Sequence, residues 1–231
     1  MSTGSSPLEG FAGHVRLFPL PHLVLFPHVI QPLHIFEPRY RQMTTDALAG
    51  DRLISIVLLK PGWEAEYEGQ PALHPIGCLS KIVADQRLDD GRFNLLVRGL
   101  RRVRLLHEEP TDRDYRTARV ELLKDIGTLE GEAAAVLRAQ LGEEVPRWLP
   151  PDETIREQFR KLRDSDLSAG ALCDVFGFAL PLDPALKQQL LEELNVVERA
   201  RRLVDMLREQ EPVAPGGDAP NRKFPPDFSA N

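Results

Sequence analysis

The spacing of apolar residues changes once along this chain. Before about residue 124 they fall in short continuous runs or in strict alternation, the period of strands. After Ile126 they recur every three to four positions, the period of helices. Leu53 to Leu59 is an almost unbroken apolar run and predicts a strand buried on both faces. Ile76 to Gln86 reads as a second strand. Asp89-Asp90-Gly91-Arg92 is a hairpin turn, where Gly accepts positive φ. Phe93, Leu95 and Val97 then alternate with Asn94, Leu96 and Arg98, and the strand resumes over Val103 to His107 after Gly99. Ala118, Val120 and Leu122 alternate with Arg119 and Glu121. A helix is expected near 38 to 49. Residues 61 to 75, with Pro61, Gly62, Gly69, Pro71 and Pro75, predict a long loop that carries Trp63 and Tyr67.

The second half reads as a bundle of about four or five helices. Ala133, Val136, Leu137 and Leu141 share a stripe, as do Ile155, Phe159 and Leu162, and Leu172, Val175, Phe176 and Ala179. Asp183-Pro184 is a helix start, with Asp as N-cap and Pro at the first position, ahead of Leu186, Leu190 and Leu194. Asn195 followed by Glu198 predicts a capping box for a last helix carrying Val196, Ala200, Leu203 and Leu207. The division expected is a flexible leader over 1–13, a β-rich subdomain over 14–126, a helical subdomain over 127–211 and a flexible tail over 212–231. In that tail Phe224 and Phe228 are the residues able to dock.

Pro19, Pro21, Pro27, Pro32 and Pro38 interrupt an otherwise apolar stretch of Leu, Val, Ile and Phe. Proline lacks an N–H and fixes φ, so this stretch is expected as short extended pieces, with no proline inside a central strand or helix interior. Pro38 suits a first helical turn, and the Glu37 carboxylate is expected to face the positive helix start.

The pieces Pro19-Leu20-Pro21-His22-Leu23-Val24-Leu25-Phe26-Pro27 and Pro32-Leu33-His34-Ile35-Phe36-Glu37-Pro38-Arg39-Tyr40, in that order, resemble the N-terminal, substrate-binding domain of Lon proteases. Further matches are Gly77 before a strand, Gly99-Leu100-Arg101-Arg102-Val103, and Leu180-Pro181-Leu182 ahead of Lys187-Gln188-Gln189-Leu190-Leu191-Glu192. The resemblance spans about 14 to 210. It implies an α+β fold, a PUA-like β pseudo-barrel followed by a C-terminal helical bundle. It also implies a stand-alone member that recognises unfolded or partly folded protein segments without catalysis. Two other readings stand beside it: an RNA-binding PUA-like protein, and an adaptor that delivers clients to a separate ATP-dependent protease.

Composition narrows these choices. The 231 residues carry a formal net charge of −6, the wrong sign for a general nucleic-acid binder. The two cysteines, Cys78 and Cys173, match no disulfide framework or metal spacing and are expected reduced and buried, which suits the cytoplasm. No apolar run reaches the length of a membrane span, and no signal-like segment opens the chain. No P-loop and no G-x-S-x-G elbow occur, so no ATPase or peptidase activity, no cofactor and no metal are expected. The ATPase and peptidase domains of full Lon proteases are expected to be missing from this chain.

His22, His28 and His34 are evenly spaced but have no carboxylate or cysteine spaced to help them hold a metal. Arg98, Arg101, Arg102 and Arg104 make a basic cluster diluted by Glu108, Glu109, Asp112 and Asp114, with no interleaved aromatic to stack a base. The residues proposed for a peptide-binding surface are Trp63, Tyr67, Phe36, Arg39 and Tyr40. For Glu37, Arg39 and Tyr40 the competing role is structural: a helix start, a local ion pair and a packed ring.

Overall fold

A computed structural model describes residue 8 and residues 11–66, 69–211 and 229–230 of the chain. Its fold is α+β: a seven-stranded mixed sheet and six α-helices among the described residues. Tyr67, Phe224 and Phe228 lie outside the described residues, as do most of the leader and most of the tail. Two compact units are present. The first runs to Leu123 and also takes in the strand at Ser229–Ala230, and the second begins at Lys124.

In the first unit the strands are β1 His14–Leu20, β2 Ile30–Ile35, β3 Leu53–Leu58, β4 Ile76–Arg87, β5 Phe93–Glu109, β6 Thr117–Leu122 and β7 Ser229–Ala230, with helix α1 at Pro38–Leu48. Their order is β4-β3-β1-β6-β5-β2-β7, and β4 also pairs with β5. That second pairing closes β1, β3, β4, β5 and β6 into a ring, while β2 and β7 extend beside β5, so the sheet is no plain barrel. β3 is buried at every position, as its continuous apolar run predicts. Around it Leu17, Val57, Leu79, Val103 and Val120 form a core cluster, against which Leu8 and Phe11 of the expected leader also pack.

Pro19 departs from expectation, because it lies inside β1. That strand is paired on both sides only in part: β6 matches His14 to Arg16, while β3 matches Leu17 to Leu20. Pro19 falls in the one-sided half, where its missing N–H leaves no ladder bond unmade. Pro32 lies inside β2 by the same logic.

Between β1 and β2 the chain turns at Phe26–Val29. Val29 N–H reaches Phe26 O at 3.4 Å, with Pro27 second in the turn and His28 third at φ +69°, the pattern of a type II turn. The turn is held against β5 at one point. His28 N–H donates to Gly99 O at 3.0 Å and Gly99 N–H to Val29 O at 2.8 Å. A Cβ on Gly99 would stand 2.0 Å from the Phe26 carbonyl oxygen. Only glycine lets the two backbones approach this closely.

The second unit holds α2 Gly131–Glu144, α3 Glu153–Arg163, α4 Ala169–Ala179, α5 Pro184–Glu192 and α6 Val196–Glu209. The expected starts appear: Asp183 accepts from Ala185 N–H at 2.8 Å, and Asn195 accepts from Val197 and Glu198 N–H. The capping box is only half made. Glu198 binds Arg201 instead, and Glu193 takes the Asn195 N–H at 2.9 Å. Arg199, on α6, is fully buried; its guanidinium meets Asp125 at 2.6 Å and 3.0 Å, Glu193 O at 2.8 Å and Asp174 at 3.3 Å. Burial pushes its pKa down, but the Asp125 hydrogen bond and the Asp174 charge outweigh burial, and the net direction is up.

Three stability outcomes are expected. Gly99→Ala should cost about 3 kcal/mol, because the added methyl collides with a backbone that cannot yield. Gly127→Ala, at φ +71° in open space, should cost only about 1 kcal/mol of left-handed strain. Arg199→Ala should cost about 3–5 kcal/mol by leaving Asp174 buried without its partner. Urea denaturation of each variant checks these values.

Candidate functional site

The first half of β5 has two faces. Phe93, Leu95 and Val97 are buried, while Asn94, Leu96 and Arg98 point outward. β2 pairs with it in the same phase: Gln31, Leu33 and Ile35 are buried, and Ile30, Pro32 and His34 face out. The register is Ile30↔Arg98, Pro32↔Leu96 and His34↔Asn94. On its other side Leu96 stands opposite Ala84 of β4, beside a bulge between Ile82 and Ala84 that turns Val83 outward.

An outward row therefore crosses three strands as Pro32, Leu96 and Ala84, with Ile30 on the diagonal and Val83 next to Ala84. Ile30 is 55% exposed, Val83 44% and Leu96 37%, and the informative feature is that they fall together on one face rather than singly. Just past β2, Phe36 is 38% exposed and stacks on His34, ring centroids 6.3 Å apart. The far end of the row is polar. His34 pairs with Asn94 at 2.8 Å and lies 3.3 Å from Arg92, which in turn grips Asp90 at 2.6 Å. The backbone N–H and the guanidinium of Arg92 hold the Asp90 carboxyl below the ordinary range. An apolar surface with a polar rim is suited to burying side chains of a partner.

Of the residues expected at a peptide site, Phe36 joins this surface. Tyr40 does not: it is 4% exposed, with its ring 4.5 Å from that of Phe18. Arg39 is held by Glu37 at 2.8 Å and 3.0 Å and covers the Tyr40 ring at 4.7 Å. This trio fastens the start of α1, and Glu37 binds Arg39 without capping the helix through its side chain. Trp63 is half-buried in a short 3-10 turn, Trp63–Glu66, with its edge toward His22 at 5.8 Å. Ile30, Val83 and Leu96 were absent from the sequence-based set, although Leu96 already stood on the polar side of an alternating strand.

Arg102 is buried and Arg104 pairs with Glu121 at 2.9 Å, so the arginine cluster is not one open face. Cys78 and Cys173 are both buried and are not joined in a disulfide. No group of three or more potential metal ligands occurs among the described residues. No helix among them is long and apolar enough to cross a membrane. A concave surface of about 230 Å³ lies between α2 and α6 and is lined by Val136, Leu137, Val197, Ala200 and Val204 among others.

One unit is a mixed sheet with an outward apolar face and the other is helical, so the chain is a two-unit α+β protein. The comparisons name its family. The model of the ATP-dependent protease La (LON) substrate-binding domain matches residues 14–209, and the chain belongs to that family. It is 27% identical over 202 residues to Lon protease 1 of Bdellovibrio bacteriovorus, covering 86% of this chain and 25% of that protein. It is 29% identical over 199 residues to Lon protease 2 of Herpetosiphon aurantiacus, covering 84% of this chain and 23% of that protein. The chain thus spans about a quarter of the length of these relatives. Among solved structures, the Lon N-terminal domain protein from Xanthomonas campestris matches with TM-score 0.61 at 24% identity, over 83% of this chain and 97% of that one. The N-terminal domain of Mycobacterium avium complex Lon protease matches with TM-score 0.66 at 21% identity, over 85% of this chain and 99% of that one. These likenesses show the fold.

Packing and exposure separate the two aromatic residues near the site. Tyr40→Ala should lower stability by about 3 kcal/mol through a core cavity. Phe36→Ala should change it by no more than about 0.5 kcal/mol. Thermal unfolding of the two variants side by side checks the assignment.

Proposed function

We propose that this chain recognises unfolded or partly folded protein segments and does no chemistry on them. The observation that carries the reading is the outward row Ile30, Pro32, Leu96, Ala84 and Val83, with Phe36 at its end. Exposed aliphatic side chains brought onto one face by the register of three strands are a standing cost in water, relieved when a partner covers them. An unfolded client offers apolar side chains and an unpaired backbone, and a folded one offers neither. Ordering a loose client opposes binding, so affinity is weak and selectivity broad. Trp63, half-buried and on the same unit, is a second apolar contact in this reading. A cytoplasmic setting fits two buried cysteines that are not joined in a disulfide. Delivery of bound segments to a separate ATP-dependent protease extends the reading, since the relatives are named Lon proteases.

The test is a titration of a fluorescein-labelled, reduced and carboxymethylated model protein followed by anisotropy. The wild-type chain should bind at micromolar or weaker Kd with little change between low and high salt, because apolar burial dominates. Ile30→Asp with Leu96→Asp should weaken binding at least tenfold while leaving the unfolding midpoint unchanged. Val136→Asp in the helical groove should leave binding as in wild type. Equal binding by the sheet-face variant would refute this surface. Binding of single-stranded RNA alone, falling steeply with salt, would favour the RNA reading instead.

A further inference from the structure

Strand β2 has one partner along its full length, β5, and among the described residues only β7 lies on its opposite edge. Sheet edges are templates for another strand unless something blunts them. Here the first half is blunted. Pro32 has no N–H to offer, and its carbonyl already accepts the side-chain amide of Gln31 at 2.7 Å. The edge is therefore open only beyond Pro32. At that point the chain itself supplies a strand: β7 lies alongside β2 in parallel, with Leu33↔Ser229 and His34↔Ala230.

We propose that the open edge of β2, from Leu33 to Ile35, is where a client's extended backbone docks as an added parallel strand. Ser229–Ala230 hold that edge until a client displaces them. The inference rests on the recognition reading above and supplies its binding mode and its regulation. Three features converge on it. An added strand satisfies its own backbone at the edge, so binding does not depend on client sequence. Side chains of an added strand alternate between the two faces of the sheet. One set therefore comes to the outward face that bears Ile30, Pro32 and the Phe36–His34 stack. The opening spans only a few residues, which matches weak and reversible capture. An edge occupied by the chain's own segment is also kept from pairing with another copy, the hazard of a bare strand.

Self-occupancy makes a quantitative demand. If the binding-competent state is the one in which Ser229–Ala230 are off the edge, apparent affinity is lowered by the fraction of time they are on it. Ser229→Pro with Ala230→Pro, made in the full chain, removes both N–H groups of β7 and leaves β2 untouched. The probe is the same labelled, carboxymethylated model protein. Binding should tighten about three- to tenfold in the proline variant. A synthetic peptide with the sequence of residues 223–231 should compete with the probe for the proline variant. If the wild-type chain binds the probe, but the proline variant binds it equally and the peptide does not compete, the edge proposal is overturned and the face reading stands. If Leu96→Asp leaves binding intact while the proline variant still tightens it, the edge is supported and the face is refuted. If no form of the chain binds the probe, the recognition reading fails and this inference fails with it.

Discussion

The backbone of Phe26 lies so close to the backbone of Gly99 that no side chain fits between them, and much of the first unit follows from that contact. Two hydrogen bonds lock it, from His28 to Gly99 and from Gly99 to Val29. The turn at Pro27-His28 is thereby fixed in position on β5, and β2 leaves it already aligned with the outer half of that strand. The phase of β2 decides which residues face water. A shift of one residue would bury Ile30, Pro32 and His34 and expose Gln31, Leu33 and Ile35. The apolar outward row thus depends on a glycine and a proline turn remote from any chemistry. The same constraint explains a non-glycine residue at positive φ: His28 takes a conformation that Pro27 and the ladder to Gly99 impose on it.

A second anchor works inside the helical unit. Arg199 has no exposed surface, yet it joins Asp125, ahead of α2, to Asp174 on α4 and to the carbonyl of Glu193 before α6. Ile126 is drawn into the same corner by its hydrogen bonds with Leu194 and Val196. That is why the second unit begins a few residues before the change in apolar period: Asp125 and Ile126 are tied to helices although they follow a strand. A buried charge is stable here only because each of its neighbours is present.

Most of the fold was legible in the sequence because local rules and tertiary packing agree over most of the chain. The run at Leu53 to Leu59, the Asp90-Gly91 turn and the caps at Asp183 and Asn195 each appear close to where period and turn chemistry put them. The site was less legible. Alternation showed that Leu96 faces away from the core, but not that it stands between Pro32 and Ala84, because cross-strand register joins residues far apart in sequence. Aromatic side chains drew the sequence reading toward Tyr40, whose ring is core. Arg199 gave no signal at all: an arginine on an amphipathic helix reads as solvent-facing unless its partners are known. Pro19 shows a rule applied too broadly, since a strand that is central at one end is free at the other.

Recognition by this domain is, on this account, a matter of apolar surface and an open strand edge, with charge confined to the rim. Hydrogen exchange of the full chain, with and without a saturating denatured protein, tests that claim most directly. The account predicts slowed exchange at backbone amides within Leu33–Phe36 and the flanking part of β5, with the helical unit unchanged. Protection confined to the groove between α2 and α6, or to the turn at Trp63–Glu66, with β2 and β5 exchanging as in the free chain, would contradict it.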